Sequence, residues 1–147
     1  MGRDVKLPAS PPGAEPAQRL FTLHAANRSL VLVRKIVADA VAEYARVLEF
    51  QEVLDLERGY DGAGELPAEV REDFRSAIDR IRGYMKELEA VGVELRDFER
   101  GLVDFPARVN GRDVRFCWQP DEDSVQFWHE PGGTTCGRRP IGELVAP

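Results

Sequence analysis

The sequence has no long apolar segment, and this absence limits the classes of protein to which it can belong. The run from Leu30 to Val33 is ended at once by Arg34 and Lys35, far short of the roughly 20 apolar residues that a membrane-spanning helix needs. Residues 1–18 also lack the charged and then apolar layout of an export signal. We therefore expect a soluble, cytoplasmic protein with no membrane partner.

Cysteine and positive charge are both scarce. The two cysteines, Cys117 and Cys136, are too few for a disulfide framework, and a reducing compartment disfavours a bridge between them. The 26 acidic residues outnumber the 20 basic ones, which gives a net charge of -6. General nucleic-acid binders carry an excess of Lys and Arg, so nucleic acid is not an expected partner.

The size of the chain suits one domain. With 147 residues, 43% of them hydrophobic, it can form one core and has no room for a second. Residues 1–18 are rich in proline and alanine, a composition that does not offset the entropy of ordering. We expect a flexible tail over 1–18 and a single domain over 19–147.

Residues 22–91 predict a long helical hairpin. Apolar residues recur every three or four positions on two stretches separated by a glycine-rich segment. These residues are Leu23, Ala26, Leu30, Val33, Val37, Ala40, Tyr44, Val47 and Leu54, followed by Val70, Phe74, Ala77, Ile81, Met85, Leu88 and Val91. Thr22 suits the N-cap of the first helix, with Phe21 as its hydrophobic staple. Pro67 suits the start of the second helix and Gly92 its end, so the two should pack as an antiparallel, coiled-coil-like pair.

Residues 93–130 predict an antiparallel sheet. The turn Asn110-Gly111 pairs Phe105 with Phe116, and a four-residue loop over residues 120–123 would pair Phe116 with Phe127. Both registers place the same residues on one apolar face. They are Val103, Phe105, Ala107, Val114, Phe116, Trp118, Val125 and Phe127.

The predicted fold class is therefore α+β, with the long antiparallel two-helix hairpin packed on a small C-terminal sheet of three to four strands. The optional fourth strand lies at residues 93–97, and residues 131–147 are expected to form a C-terminal loop. Only the hairpin is large enough to cover the apolar face of the sheet.

Several unusual clusters occur in a fixed order along the chain. They are Leu20-Phe21-Thr22-Leu23, Ala26-Asn27, Gly101-Leu102-Val103-Asp104-Phe105-Pro106, Cys117-Trp118, Trp128-His129-Glu130 and Gly137-Arg138-Arg139-Pro140. Because of these clusters, the chain resembles the DUF2203 family of uncharacterised prokaryotic proteins over about residues 19–141. The resemblance implies no particular activity. Two segments depart from it: His24 and Ala25 replace acidic residues, and residues 133–136 replace a glycine followed by an aromatic residue.

Six residues make up the candidate ligand-binding site. They are Asp104, Trp128, His129, Glu130, Arg138 and Arg139. His129 is the one candidate metal ligand worth testing, and a metal would require a further ligand such as Cys136 or His24. The predicted register places His129 on the apolar side of the sheet, with Glu130 pointing the other way. A structural, hydrogen-bonded histidine is the favoured interpretation.

The other candidate features have simpler structural explanations. Cys117 beside Asp104 lacks the cationic setting of a nucleophile, and Trp128 over Arg115 suits a cation–π stack on the outer face of the sheet. The glycine-rich residues 132–139 could bind a carboxylate or phosphate through Arg138 and Arg139. That segment lacks the ending of a P-loop, so we favour a plain loop in which Arg138 or Arg139 pairs with helix carboxylates.

The length of the hairpin determines the expected function. A helical surface of this size exceeds what a small sheet can cover, and the surplus could self-associate as a two-fold dimer. We expect a non-catalytic interaction or scaffold protein acting through its hairpin, with no cofactor, whose partner is a second copy or another protein. The alternative is a small-ligand or metal-binding protein, which could be an enzyme, with a site near His129 and residues 132–139.

Overall fold

The computed structural model describes residues 19–61, 67–132 and 137–145. For residues 57–61 and 145 it describes the backbone only. The predicted tail, the glycine-rich turn between the helices and residues 133–136 of the 132–139 segment lie outside these residues. Within the described part of the chain, none of the helices combines the length and the apolar character that a membrane span requires.

The fold is α+β, as predicted. Helix α1 spans Leu23–Asp61 and helix α2 spans Ala68–Val91. Strands β1 to β5 follow as Glu94–Asp97, Leu102–Val109, Arg112–Trp118, Phe127–His129 and Arg139–Pro140, and a short helix α3 covers Ile141–Val145. The strands form one antiparallel sheet in chain order.

The start of α1 and the end of α2 have the caps that the sequence predicts, whereas Pro67 precedes the first residue of α2 rather than occupying it. The Thr22 hydroxyl accepts a hydrogen bond of 3.0 Å from the amide of Ala25, which is the contact of an N-cap. Gly92 adopts the left-handed conformation with φ 105° and donates its amide to the carbonyls of Leu88 and Glu89. A side chain at Gly92 would also meet Arg19 at 3.0 Å, so glycine is favoured here by conformation and by space.

The two helices are held together by an aromatic contact and an ion pair. Phe50 and Phe74 meet edge to face with their ring centres 5.9 Å apart. Glu43 accepts two hydrogen bonds of 3.0 Å from the guanidinium of Arg80. The hydrogen bond from Arg80 lowers the pKa of Glu43, in spite of the opposing effect of its burial.

The register of β2 with β3 is confirmed. Phe105 pairs with Phe116 and Val109 with Arg112, and Asn110 and Gly111 take the positive φ values of 54° and 76° that a tight hairpin turn requires. The face that carries Phe105 and Phe116 packs against the helices. The core joins Val33 and Val37 of α1, Leu88 of α2, and Phe105 and Trp118 of the sheet.

The predicted register of β3 with β4 is wrong by one residue. Phe116 pairs with Trp128 rather than with Phe127. Because successive side chains of a strand point to opposite faces, this shift exchanges the faces of the whole strand. Trp128 is therefore 2% exposed in the core, whereas Phe127 and His129 lie on the face turned away from the helices.

The connection between β3 and β4 explains the error. It is an irregular loop rather than a closed four-residue turn. The Trp118 indole donates to the carbonyl of Glu122 at 2.8 Å, and the amide of Gln119 donates to the Glu122 carboxylate. The amide of Val125 donates to the Asn27 side chain of α1 at 2.7 Å. Val125 is thereby buried against α1 without pairing in the sheet, and β4 starts only at Phe127.

The sheet has five strands rather than the predicted three to four. The extra strand, Arg139–Pro140, comes from the segment predicted as a C-terminal loop, and it pairs with β4. The amide of Ile141 donates to the carbonyl of Gln126 at 2.9 Å. Ile141 itself is 8% exposed and joins the core, so the burial of this one side chain fixes the segment against the sheet edge.

Candidate functional site

Part of the predicted site gathers on the sheet face turned away from the helices. Asp104 of β2, Cys117 of β3 and His129 of β4 all lie on this outer face and are at most 4% exposed. The sequence predicted this position for Asp104 and Cys117. It placed His129 on the opposite face, which the shifted register of β4 corrects.

Asp104 is the centre of a buried hydrogen-bond network. Its Oδ2 accepts a hydrogen bond of 2.7 Å from Arg96 Nη1, and its Oδ1 lies 3.0 Å from His129 Nε2. Each carboxylate oxygen therefore has its own hydrogen-bond partner, as a buried polar group requires. Arg96 belongs to the edge strand β1, so the network connects three strands of the sheet. Arg96 was not among the predicted site residues. Leu95 pairs with Val103 on the core face, so the alternation along β1 places Arg96 on the outer face beside Asp104.

The imidazole of His129 faces an oxygen on both sides. Its Nδ1 lies 2.8 Å from the carbonyl oxygen of Glu130, and its Nε2 faces Asp104. Both ring nitrogens therefore have a hydrogen-bond partner within the same chain. A metal ligand or a general base needs a ring nitrogen that is free to contact the metal or the substrate. The geometry thus favours the structural interpretation of His129.

A second polar cluster surrounds Arg138. Its Nε lies 3.1 Å from Cys117 Sγ, and its other two nitrogens each lie 2.8 Å from an oxygen of the Glu122 carboxylate. The guanidinium also stacks on Phe127, 4.4 Å from the ring centre. We expected Arg138 or Arg139 to pair with a helix carboxylate. Arg138 pairs instead with Glu122, which belongs to the loop before β4.

The charges of this cluster are set by burial and by the ion pair. Burial raises the pKa of the Cys117 thiol, and the opposing effect of Arg138 does not cancel it. Burial alone would lower the pKa of Arg138, but the hydrogen bonds to Glu122 and Cys117 raise it above its usual value. The expectation that Cys117 has no cation beside it is therefore wrong, because Arg138 lies against its sulfur. The raised pKa still makes Cys117 a protonated thiol and not the thiolate that a nucleophile requires.

The remaining predicted site residues lie elsewhere. Trp128 is in the core, on the face that contacts the helices, and Arg112 and Arg139 flank its ring at 5.2 and 5.5 Å. The expected stack of Trp128 on Arg115 is therefore wrong. Glu130 is exposed and pairs with Arg112. Trp128, Glu130 and Arg139 thus do not share a site with Asp104 and His129.

No group of three or more His, Cys, Asp or Glu residues in the described ranges is arranged to hold a metal ion. A cleft of about 320 Å³ lies between the end of α2 and β1. None of the six predicted site residues lines it. Its lining residues are Met85, Leu88, Glu89, Val93, Glu94 and Leu95.

The solvent-facing side of α1 is a second candidate surface, which we call the α1 outer stripe. Its residues follow one another at steps of three or four, so they share one helix face. They are Arg28, Val31, Lys35, Ala38, Ala42, Ala45, Glu49, Val53 and Leu56, and all are exposed. Val31 is 85%, Val53 47% and Leu56 73% exposed. Sequence reasoning missed this stripe because its alanines and charges are also typical of an ordinary solvated face.

The comparisons with known proteins identify a family. The family model for an uncharacterized conserved protein, DUF2203, matches residues 19–141. The chain belongs to the DUF2203 family. The match includes both helices, the sheet and the two polar clusters. No curated protein and no solved structure matches the chain.

Proposed function

We propose that this DUF2203 protein is a non-catalytic interaction protein that self-associates through its helical hairpin. The observation that carries the proposal is the exposure of three large apolar side chains, Val31, Val53 and Leu56, on one face of α1. Isolated exposed apolar residues are common on monomers. Apolar residues repeated along one helix face are typical of a surface that contacts a partner.

The proportions of the hairpin support this proposal. Helix α1 has 39 residues and is about 58 Å long, whereas α2 has 24 residues and is about 36 Å long. Helix α1 uses its inner face for the sheet and α2, through buried residues such as Val33, Val37 and Ala40. Its outer face is left for an intermolecular contact.

The polar clusters on the sheet support a non-catalytic role. Asp104, His129 and Arg138 direct their hydrogen bonds to other residues of the same chain, and the pKa of the Cys117 thiol is raised. These groups stabilise the packing of β1, β4 and the C-terminal segment on the sheet. The alternative function, ligand or metal binding near His129, has weaker support because both ring nitrogens are engaged.

Light scattering of the full chain over the micromolar range tests self-association. We expect a concentration-dependent dimer that Val31→Glu with Leu56→Glu converts to a monomer, because the added charges cannot be buried without partners. Ala90→Glu is the matched control, since Ala90 is exposed on α2 and lies outside the α1 outer stripe. A strict monomer of the natural sequence at high micromolar concentration would contradict the proposal.

Elemental analysis and thermal-shift measurements test the alternative function, a ligand or metal site near His129. A stoichiometric metal in the purified protein, or a rise in melting temperature with phosphate or a nucleotide that His129→Ala abolishes, would support a ligand site. Without either result, the interaction role remains the better explanation of the structure.

A further inference from the structure

We propose that two copies of the chain pair through their α1 helices in an antiparallel arrangement, about a two-fold axis next to Ala42. The inference rests on the proposed self-association and adds its surface, direction and register. In such a dimer each contact occurs twice, because a two-fold interface is self-complementary.

The α1 outer stripe is continuous around Ala42. At about 100° per residue, all nine of its positions lie within about 60° of the direction of Ala42. The buried residues Val33, Val37 and Ala40 lie on the opposite side of the helix. A second copy could therefore contact the stripe along some 42 Å of helix without displacing the sheet or α2.

One apolar pair of the stripe is placed symmetrically about Ala42. Val31 and Val53 lie equally far from it on either side, as do Arg28 and Leu56. Antiparallel pairing about Ala42 therefore sets Val31 of one copy against Val53 of the other, at both ends of the contact. The most exposed apolar side chains, Val31 and Leu56, would thus be covered by the same arrangement.

The charges of the stripe select the antiparallel direction. Lys35 and Glu49 also lie equally far from Ala42 on either side, so the two-fold axis places each Lys35 opposite the Glu49 of the other copy. A parallel pair in register would place Lys35 against Lys35 and Glu49 against Glu49, which is repulsive. Among the described residues, none of the ion pairs within the chain uses Lys35 or Glu49.

The centre of the stripe allows the helices to approach closely. Ala38, Ala42 and Ala45 are small, which suits the shorter end of the 8–10 Å range of distances between packed helices. The nearest long side chain, Arg46, turns towards its own chain. Its Nε lies 3.4 Å from Glu43 and its guanidinium lies 5.9 Å from the ring centre of Phe50.

Cysteine cross-linking of the full-length chain tests the register. We expect Ala42→Cys to form a covalent dimer under mild oxidation, because the axis brings the two copies of this position together. Val31→Cys alone and Val53→Cys alone should cross-link poorly, whereas an equal mixture of the two should cross-link well. The natural chain, oxidised in parallel, measures the background from Cys117 and Cys136. Efficient self-linking by Val31→Cys, or none by Ala42→Cys in a protein that dimerises, would overturn the register.

Exchange of the Lys35 and Glu49 charges tests whether the two α1 helices pair in the antiparallel direction. We expect Lys35→Glu and Glu49→Lys each to raise the dimer dissociation constant about tenfold, since each creates two like-charge contacts per dimer. The double variant should return to within about threefold of the natural protein, because it restores both ion pairs. A double variant as weak as the single variants would overturn the antiparallel pairing.

The proposed self-association and the proposed pairing of α1 about Ala42 can be contradicted separately. A natural protein that stays monomeric at every concentration overturns self-association and the register together. A dimer that dissociates with Val31→Glu and Leu56→Glu, but does not respond to the exchange of the Lys35 and Glu49 charges, overturns only the antiparallel pairing. Circular dichroism of each variant checks its folding, which should be unchanged because all the substituted positions are exposed.

Discussion

Asp104 and His129 meet on the outer face of the sheet, with 3.0 Å between Oδ1 and Nε2, where the first residue is 0% and the second 4% exposed. The contact joins strands β2 and β4 across β3, and Arg96 extends it to β1. These two members of the predicted ligand-binding site, with Arg96, thus connect three strands of the sheet.

Removal of the Asp104 charge should destabilise the fold strongly. Asp104→Ala leaves the buried His129 and the partly exposed Arg96 without their shared partner, for which we expect a loss of about 1–3 kcal/mol in the free energy of unfolding. Asp113→Ala is the matched control, because its pair with Arg108 is exposed and should contribute less than about 1 kcal/mol. Urea denaturation measures both. Equal losses would show that the buried network does not stabilise the sheet.

The register of β4 predicts unequal costs for two adjacent aromatic residues. Trp128→Ala removes a core side chain and should cost about 3–5 kcal/mol, whereas Phe127→Ala removes a half-buried ring on the outer face and should cost less. Chemical denaturation of the two variants compares them directly. A larger loss for Phe127→Ala would support the register predicted from the sequence over the one in the structure.

Cys117 should resist thiol reagents in the folded protein. It is 0% exposed, and burial raises its pKa, so both access and the thiolate fraction are low. We expect the peptide that contains Cys117 to stay unlabelled by iodoacetamide at neutral pH and to become labelled in denaturant, as followed by mass spectrometry. Rapid labelling of the native protein would mean that the outer face opens readily.

The pair of Glu43 with Arg80 should contribute stability that depends on pH. The pKa of Glu43 is lower in the folded chain than in the unfolded chain, so the unfolded state binds its proton first as the pH falls. The stabilisation is complete above the ordinary glutamate pKa and is lost as the pH falls through the lower, folded value.

Glu43→Gln tests this dependence. The variant should be less stable than the natural protein at neutral pH, and the two curves of stability against pH should converge in acid. Glu72→Gln on the exposed face of α2 is the control for the removal of one carboxylate. A constant difference between Glu43→Gln and the natural chain across the acidic range would contradict the account.

The sequence predicts the parts of the fold that local chemistry determines. The caps at Thr22 and Gly92 follow from their residue types, and the register of β2 with β3 follows from the turn at Asn110. The register of β4 does not follow from local chemistry. The loop before β4 is shaped by a hydrogen bond from the amide of Val125 to Asn27, which is distant in the sequence. Contacts of this kind have no local signal.

The candidate site was predicted only in part for the same reason. Its members on the outer face of β2 and β3 follow from the period of two along the strands. The inclusion of His129 depends on the shifted register, and the pairing of Arg138 with Glu122 depends on how the chain returns after β4. The α1 outer stripe could have been found from its spacing, once the inner face of the helix was assigned.

Sedimentation equilibrium of the full-length natural protein, from low to high micromolar concentration, tests the central claim most directly. Self-association through the α1 outer stripe predicts a mass that rises towards twice the chain mass of 16.5 kDa, and a return to one chain mass when Val31 and Leu56 are both replaced by Glu. A natural protein that keeps the mass of one chain at every concentration would contradict it.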